Sequence, residues 1–153
     1  MKVPFVDLKA QYHSIKQEID EAIAEVLESC SFIMGPKLKS FEEQFDNLHE
    51  CKYCLGTSAG TDALHLALWA LGIGVNDEVI VPVNTFIATA EGVSLSGATP
   101  VFVDINPLTY NIDPVKLEAA ITFKTKAIIP VHLYGQPADM DRIMKIAKEH
   151  DIY

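Results

Sequence analysis

The sequence predicts an α/β protein with a mostly parallel sheet and helices on both of its faces. From residue 52 onward, short apolar runs alternate with longer segments of helical periodicity. The runs VIV, VFV and AIIPV are uninterrupted, as expected of strands that are buried on both sides. Both observations favour parallel strands that are connected by helices.

The beginning of the chain has a different pattern from the rest. Apolar residues recur at helical spacing over residues 14–28, which predicts a helix with one apolar face. A Gly-Pro pair interrupts this pattern, which resumes in a second predicted helix over residues 38–48. We therefore divide the chain into an N-terminal helical segment, residues 1–50, and the first part of a larger α/β domain, residues 51–153.

The α/β part is predicted to alternate strands and helices in order. The predicted strands are Tyr53–Gly56, Glu78–Val81, Pro100–Asp104 and Lys126–Val131. The predicted helices are Asp62–Leu71, Ile87–Leu95, Pro114–Ile121 and Asp139–His150. Residues 151–153 read as the start of a further strand, so we expect the chain to be the front part of a longer protein.

Composition excludes several classes of function. The formal net charge is −9, and an acidic chain is unsuited to binding the nucleic-acid backbone. No apolar run is long enough for a signal peptide or a membrane span, so we expect no membrane contact and a cytoplasmic location. Cys51 and Cys54 form a CxxC pair, but no second pair follows, so we expect two cysteines flanking the start of a buried strand and no metal site.

The stretch TSAGTDAL lies where a predicted strand gives way to a helix. Ser58, Gly60 and Thr61 occupy this turn. The first N–H groups of a helix lack partners within the helix and carry partial positive charge, so the turn is suited to hold a phosphate. The alternative is an ordinary helix start that is capped by Thr61 or Asp62.

Two further segments follow predicted strands and should lie at the same edge of the sheet. Phe86 follows the strand EVIVP, and it either stacks on a flat ligand ring or packs in the core. His132 and Tyr134 follow the strand AIIP. A histidine in this position serves either a chemical or a structural role. Three strand ends therefore supply a phosphate turn, an aromatic ring and a His-x-Tyr pair to one rim.

Several motifs together resemble one known family. The segments VPFVDLKAQY, GTSAGTDALHLAL, GATPVFVDINPLTYNIDP and AIIPVHLYGQPADMD resemble the pyridoxal-phosphate-dependent sugar aminotransferases of the DegT/DnrJ/EryC1/StrS family. The resemblance covers essentially the whole chain. It implies an incomplete copy of the type I aminotransferase fold, with pyridoxal 5'-phosphate as cofactor.

The resemblance also implies roles for individual residues. Ser58, Gly60 and Thr61 would hold the cofactor phosphate, and Phe86 would stack on the pyridine ring. The residues implied on the substrate side are Phe5, Asp7, Met34, His132 and Tyr134. The first fifty residues would contribute substrate and dimer surface, and residues 51–153 would be the first part of the large cofactor-binding domain.

The catalytic groups of the family have no counterpart in this chain. The resemblance implies an aspartate at the pyridine nitrogen and a Schiff-base lysine, both beyond the matched segments. Lys124, Lys126 and Lys145 stand in other sequence contexts. We therefore expect no catalytic residue within residues 1–153, and we expect this chain alone to be inactive.

For the whole enzyme, the resemblance implies transfer of an amino group from glutamate to a nucleotide-linked ketosugar. The segments VNTFIATAEGV and PVHLYGQPADMD most resemble members that aminate C3, which favours a 3-keto-6-deoxy sugar as acceptor. The resemblance also implies a role in polysaccharide biosynthesis and a homodimer. One alternative is a sugar dehydratase of the same family, in which histidine replaces the Schiff-base lysine. Another is a non-catalytic binding or regulatory module that keeps a phosphate or nucleotide site. A third is a truncated, non-catalytic fragment that binds neither.

Overall fold

The structure, a computed structural model, describes residues 3–153 and divides into two compact units, Met1–Gly56 and Thr57–Tyr153. The described part of the first unit contains the helices α1 (Leu8–Ser14), α2 (Lys16–Ser29) and α3 (Pro36–His49). The two predicted helices correspond to α2 and α3. The short α1 was not predicted, because its seven residues are too few to show a period.

Local chemistry explains where these helices begin and end. The Asp7 carboxylate accepts the N–H of Ala10 at 2.9 Å and caps α1. Cys30 adopts a left-handed conformation with φ 50° and ends α2. Pro36 is the first residue of α3, where its missing N–H carries no cost. Among the described residues of these helices none is buried.

The predicted strand Tyr53–Gly56 is wrong. The segment is irregular, and no described residue pairs with it in a sheet ladder. A strand exists only where a neighbouring strand satisfies its backbone, and an apolar run does not supply that partner. The cysteines beside it therefore do not flank a strand, and the Cys51 thiol donates to the Tyr53 carbonyl at 3.5 Å.

The second unit alternates helices and strands. Its helices are α4 (Gly60–Ala70), α5 (Ala88–Leu95), α6 (Pro114–Ala119) and α7 (Met140–Glu149). Its strands are β1 (Glu78–Pro82), β2 (Thr99–Val103) and β3 (Thr125–Ile128). These elements match the predicted ones to within three residues at each boundary. Among the described residues they form one sheet of order β2-β1-β3, and both pairings are parallel.

Two hydrophobic clusters cover opposite faces of β1. Val79 and Val81 pack with Leu68 of α4 and Val93 of α5. Ile80 points the other way and packs in a cluster that contains side chains of α6 and α7. Neighbouring strand residues face opposite sides of a sheet, so the central strand is covered by helices on both sides. The predicted α/β class with helices on both faces is confirmed.

The residues after α7 return to the sheet. The N–H of Tyr153 donates to the Lys126 carbonyl, and the Tyr153 carbonyl accepts the N–H of Ile128, both at 2.9 Å. Tyr153 thus pairs with the outer side of β3, as the predicted start of a further strand implies. Within the described part of the chain, no helix combines the length and apolar character needed to cross a lipid bilayer.

Candidate functional site

The carboxyl edge of the sheet gathers the segments that the sequence singled out. Parallel strands end on the same side, so the loops after β1, β2 and β3 meet along one rim. Helix α4 leads toward the start of β1, and α5 leaves its end. A Cβ on Gly92, the fifth residue of α5, would lie 2.9 Å from Cβ of Leu64, the fifth residue of α4. The N-termini of α4 and α5 therefore lie side by side at this rim.

Helix α4 begins without a side-chain cap from any described residue. Ala59 is the cap residue, in extended conformation with φ −157° and ψ 161°, and its carbonyl accepts the N–H of Ala63 at 3.0 Å. Thr61 and Asp62 lie inside the first turn, so the alternative in which either caps the helix does not hold. The first N–H groups of α4 remain available to a ligand, which is what an anion-binding turn requires.

Space for that ligand exists at Gly60. A Cβ built on Gly60 meets no described atom within 4 Å, so the backbone can be approached closely from outside. The Ser58 hydroxyl donates to the Asp62 carboxylate in the first turn of the helix. An arriving phosphate would therefore compete with Asp62 for this hydroxyl while it bonds the helix N–H groups.

Phe86 stands in the loop between β1 and α5 with 76% of its surface exposed, so the alternative of core packing is wrong. The loop is nevertheless fixed. The Phe86 carbonyl accepts the N–H of Thr89 at 3.1 Å, and the Thr85 and Thr89 hydroxyls are 2.8 Å apart. An exposed ring on a fixed loop at the rim is suited to stack on a flat ligand.

His132 and Tyr134 lie in the loop that follows β3. Nδ1 of His132 accepts the N–H of Ala138 at 3.0 Å, so the neutral ring carries its proton on Nε2. Tyr134 adopts a left-handed conformation with φ 52°, and its side chain is fully exposed at 101%. His132 therefore has a structural bond through one nitrogen and presents the other to solvent.

Sequence reasoning missed the residue that holds this loop. Asn111 is only 3% exposed and lies in the loop after β2. Its side-chain N–H₂ donates to the carbonyls of Gln136 at 3.0 Å and Pro137 at 3.1 Å. Its Oδ1 accepts the N–H of Leu133 at 3.1 Å. The only sequence signal was an asparagine beside the buried-looking Ile112, because its partners lie more than twenty residues away in the chain.

The two halves of the rim stand over different faces of the sheet. Ile112 and Ala138, next to the anchor points of the His132 loop, pack in the cluster that contains residues of α7. The N-termini of α4 and α5 lie over the opposite face, with the Phe86 loop emerging from the central strand β1. A ligand that engages both halves must cross the end of the sheet.

One pair of opposite charges lies beside the rim. Nζ of Lys116 is 2.6 Å from the Asp104 carboxylate at the end of β2. This bond, together with the N–H of Ile105, lowers the pKa of Asp104 below its usual value. The hydrogen bond to Asp104 in turn raises the pKa of Lys116.

In the first unit, burial and then the neighbouring Cys51 raise the pKa of the Cys54 thiol, which disfavours a reactive thiolate.

Three predicted substrate-side residues belong to the first unit. Phe5 and Met34 are exposed, at 104% and 84%, and Met34 has a positive φ of 48°. Asp7 is engaged as the cap of α1. Their place in the rim therefore stays a prediction, whereas Ser58, Gly60, Thr61, Phe86, His132 and Tyr134 belong to the unit that forms the rim.

The fold and the rim define an α/β protein of the doubly covered parallel type, with an uncapped helix N-terminus at its ligand edge. The sequence profile of the DegT/DnrJ/EryC1/StrS aminotransferase family matches residues 13–153. The chain belongs to this family.

Within the aligned part, about half of this chain's residues are identical to those of curated relatives. A UDP-2-acetamido-2-deoxy-3-oxo-D-glucuronate aminotransferase of Pseudomonas aeruginosa is 51% identical over 98% of the chain. A pleiotropic regulatory protein of Geobacillus stearothermophilus is 51% identical over 99% of the chain. The chain spans only 42% and 41% of the lengths of these two relatives.

Solved structures share the fold closely. DesV of Streptomyces venezuelae, solved with a ketimine intermediate, superposes with a TM-score of 0.96 at 48% identity, over 99% of this chain and 41% of DesV. NtdA of Bacillus subtilis, solved with bound cofactor PMP, gives a TM-score of 0.94 at 43% identity, over 99% of this chain and 35% of NtdA. The predicted aminotransferase fold, present in part, is confirmed.

Proposed function

We propose that the natural-length protein containing this chain is a pyridoxal-phosphate-dependent aminotransferase that moves an amino group from glutamate to a nucleotide-linked ketosugar. The observation that carries the proposal is the uncapped N-terminus of α4, with open space at Gly60, beside the exposed ring of Phe86. A phosphate at one end and an aromatic ring to stack on describe a flat phosphorylated cofactor.

The residues of this chain fit that cofactor. The N–H groups of Gly60 and Thr61 and the Ser58 hydroxyl would bind the phosphate, and Phe86 would cover one ring face. When bound, pyridoxal phosphate would supply an aldehyde carbon that takes up and releases the amino group, together with a ring that withdraws electrons from it. The chain's own part is to bind and orient this group. Residues 1–153 contain no lysine in the family's Schiff-base context, so we expect this chain alone not to transaminate.

The names of the relatives support a sugar acceptor that is aminated at C3. Besides the P. aeruginosa 3-oxo-glucuronate aminotransferase, a dTDP-3-amino-3,4,6-trideoxy-alpha-D-glucose transaminase of Streptomyces venezuelae is 48% identical over 99% of this chain. Tyr134 and the Nε2 of His132 would face the sugar, and the first unit would contribute Phe5, Asp7 and Met34. We also propose that the natural-length protein is a homodimer and lies in the cytoplasm.

The experiment is a half-reaction on the natural-length protein. Glutamate alone should convert the bound cofactor to its amine form, seen as a change in absorbance, with release of one equivalent of 2-oxoglutarate. A sugar dehydratase would be told apart by its product, a deoxygenated sugar that carries no new amino group. A regulatory module, which the name of the Geobacillus relative brings into consideration, would neither consume glutamate nor alter a sugar.

A further inference from the structure

The loop between His132 and Ala138 is mostly exposed but is tied to the rest of the unit by hydrogen bonds. His132, Tyr134, Gly135 and Gln136 are all exposed, so little packing holds them. Tyr134 and Gly135 are successive left-handed residues, with φ 52° and 82°, and this conformation is unfavourable for a residue with a Cβ. Such a loop is ordinarily mobile unless hydrogen bonds fix it.

Asn111 supplies those bonds from a neighbouring loop. Its side chain spans the turn, accepting from Leu133 at 3.1 Å on one side and donating to Gln136 and Pro137 at 3.0 and 3.1 Å on the other. Both amide protons and one lone pair are used, so the flat amide fixes the direction as well as the distance of each partner. Burial to 3% exposure protects the bonds from water.

The anchor is itself rigid. The Asn111 carbonyl accepts the N–H of Asn106 at 2.9 Å, and the adjacent Ile112 is 2% exposed in the core and bridges to Ile105. Asn111 therefore ties the exposed loop at the ligand rim to the buried core.

We propose that Asn111 is a positioning residue: it holds the His132–Ala138 loop in the conformation that presents Tyr134 and Nε2 of His132 to the substrate. This rests on the proposed function for the identity of the substrate, a nucleotide-linked ketosugar. Asn111 acts through the loop and takes no part in the chemistry.

The test uses the natural-length protein with the variant Asn111→Asp. This variant keeps the size and the acceptor for Leu133 but turns an oxygen toward the carbonyls of Gln136 and Pro137. Hydrogen exchange over residues 131–138 should become about tenfold faster, since a buried polar group has lost its partners. Asn111→Ser, which is too short to span the turn, serves if the first variant folds poorly and should give the same result.

The matched control is Leu108→Ala. Its side chain lies in the same loop and is 88% exposed, so exchange over residues 131–138 should not change. KM for the ketosugar should rise about tenfold in the Asn111 variants and not in the control, while the glutamate half-reaction keeps its rate. Combining Asn111→Asp with Tyr134→Ala should add little to the larger single effect.

Unchanged exchange in both Asn111 variants would overturn the proposal. Faster exchange in the Asn111 variants, combined with a KM for the ketosugar equal to that of the control, would also overturn it. The loop would then have loosened without any effect on substrate binding. A protein that transfers no amino group at all would contradict the proposed function, and the exchange comparison would still decide whether Asn111 holds the loop.

Discussion

Gly60 is the first residue of α4, and Gly72 lies two residues beyond its last one. Both have open space where a side chain would begin. They differ in backbone conformation, because Gly72 has a φ of +72° and lies just beyond the helix end. Glycine is therefore needed at residue 72 for conformation. At residue 60, glycine is needed because the missing side chain lets a ligand approach the N–H groups of the helix.

Gly60→Ala should separate binding from stability. The free energy of unfolding of the apoprotein should stay the same or rise by about 0.5 kcal/mol, since alanine is the better helix former. Its unfolding temperature should therefore not fall. Affinity for pyridoxal phosphate should fall about tenfold, because the methyl group takes the space beside the N–H groups. Cofactor titration and thermal unfolding of the natural-length protein measure the two effects.

Gly72→Ala is the matched control, with the opposite pattern. Forcing a Cβ into a left-handed conformation should cost about 1 kcal/mol of stability, and cofactor affinity should stay unchanged. If Gly60→Ala binds the cofactor as the wild type does, the α4 N-terminus is not the phosphate site.

At the residue scale, sequence reasoning could locate a turn whose parts are neighbours in the chain. TSAGTDAL is one continuous stretch, and α4 begins within it at Gly60, while its role as a phosphate site stays a prediction. Asn111 was missed because its role depends on Leu133, Gln136 and Pro137, which only the fold brings to it. The exposure of Phe86 could not be decided from sequence either, since an aromatic beside a strand suits a core and a rim equally.

At the scale of elements, the close approach of α4 and α5 fixes the geometry of the rim. Gly92 lies at the point of contact, where a Cβ would stand 2.9 Å from Cβ of Leu64 and 3.5 Å from the backbone nitrogen of His65. The absence of a side chain lets the two helices pack side by side, and this brings their N-termini to the same height.

Gly92→Ala should therefore destabilise the protein. Alanine gains about 1 kcal/mol of helix propensity, but forcing the helices apart costs about 1–3 kcal/mol, so we expect a net loss of about 1 kcal/mol. Thermal unfolding should occur several degrees lower. Ser94→Ala on the same helix is the control, because its hydroxyl bonds only to the Ala90 carbonyl within α5. Equal unfolding temperatures for the two variants would contradict the packing argument.

The elements that the sequence predicted are those whose pattern of apolar residues lies within the element itself. β1, β2 and β3 are sheet strands with apolar runs, and α2 through α7 follow predicted helices. Tyr53–Gly56 has the composition of a strand but no described ladder partner, and pairing is not a local property. Sequence patterns predicted these elements because the patterns are local, and they failed at Tyr53–Gly56 because strand pairing is not.

At the scale of the whole molecule, the two units differ in how much they bury. Unit Thr57–Tyr153 has two clusters of buried apolar residues. In contrast, the described helices of the first unit bury no residue, and Phe5, Ile33 and Leu48 are among its exposed apolar side chains. Helices of this length are marginal in water without tertiary packing.

A peptide of residues 1–56 should therefore lack a cooperative unfolding transition. Its circular dichroism should show partial helix that melts gradually, because no buried core opposes the loss of conformational order. A peptide of residues 57–153 is the comparison and should retain more native-like exchange protection around β1. A sharp two-state transition in the shorter peptide would contradict this account of where the stability resides.

The most direct test of the central claim follows nitrogen. The natural-length protein, supplied with pyridoxal phosphate, ¹⁵N-labelled glutamate and a UDP- or dTDP-linked 3-ketosugar, should yield a nucleotide-linked sugar that carries ¹⁵N at C3, as read by mass spectrometry and NMR. A deoxygenated sugar without ¹⁵N, or no conversion by a protein that is saturated with cofactor, would contradict the proposal that this chain is part of a sugar aminotransferase.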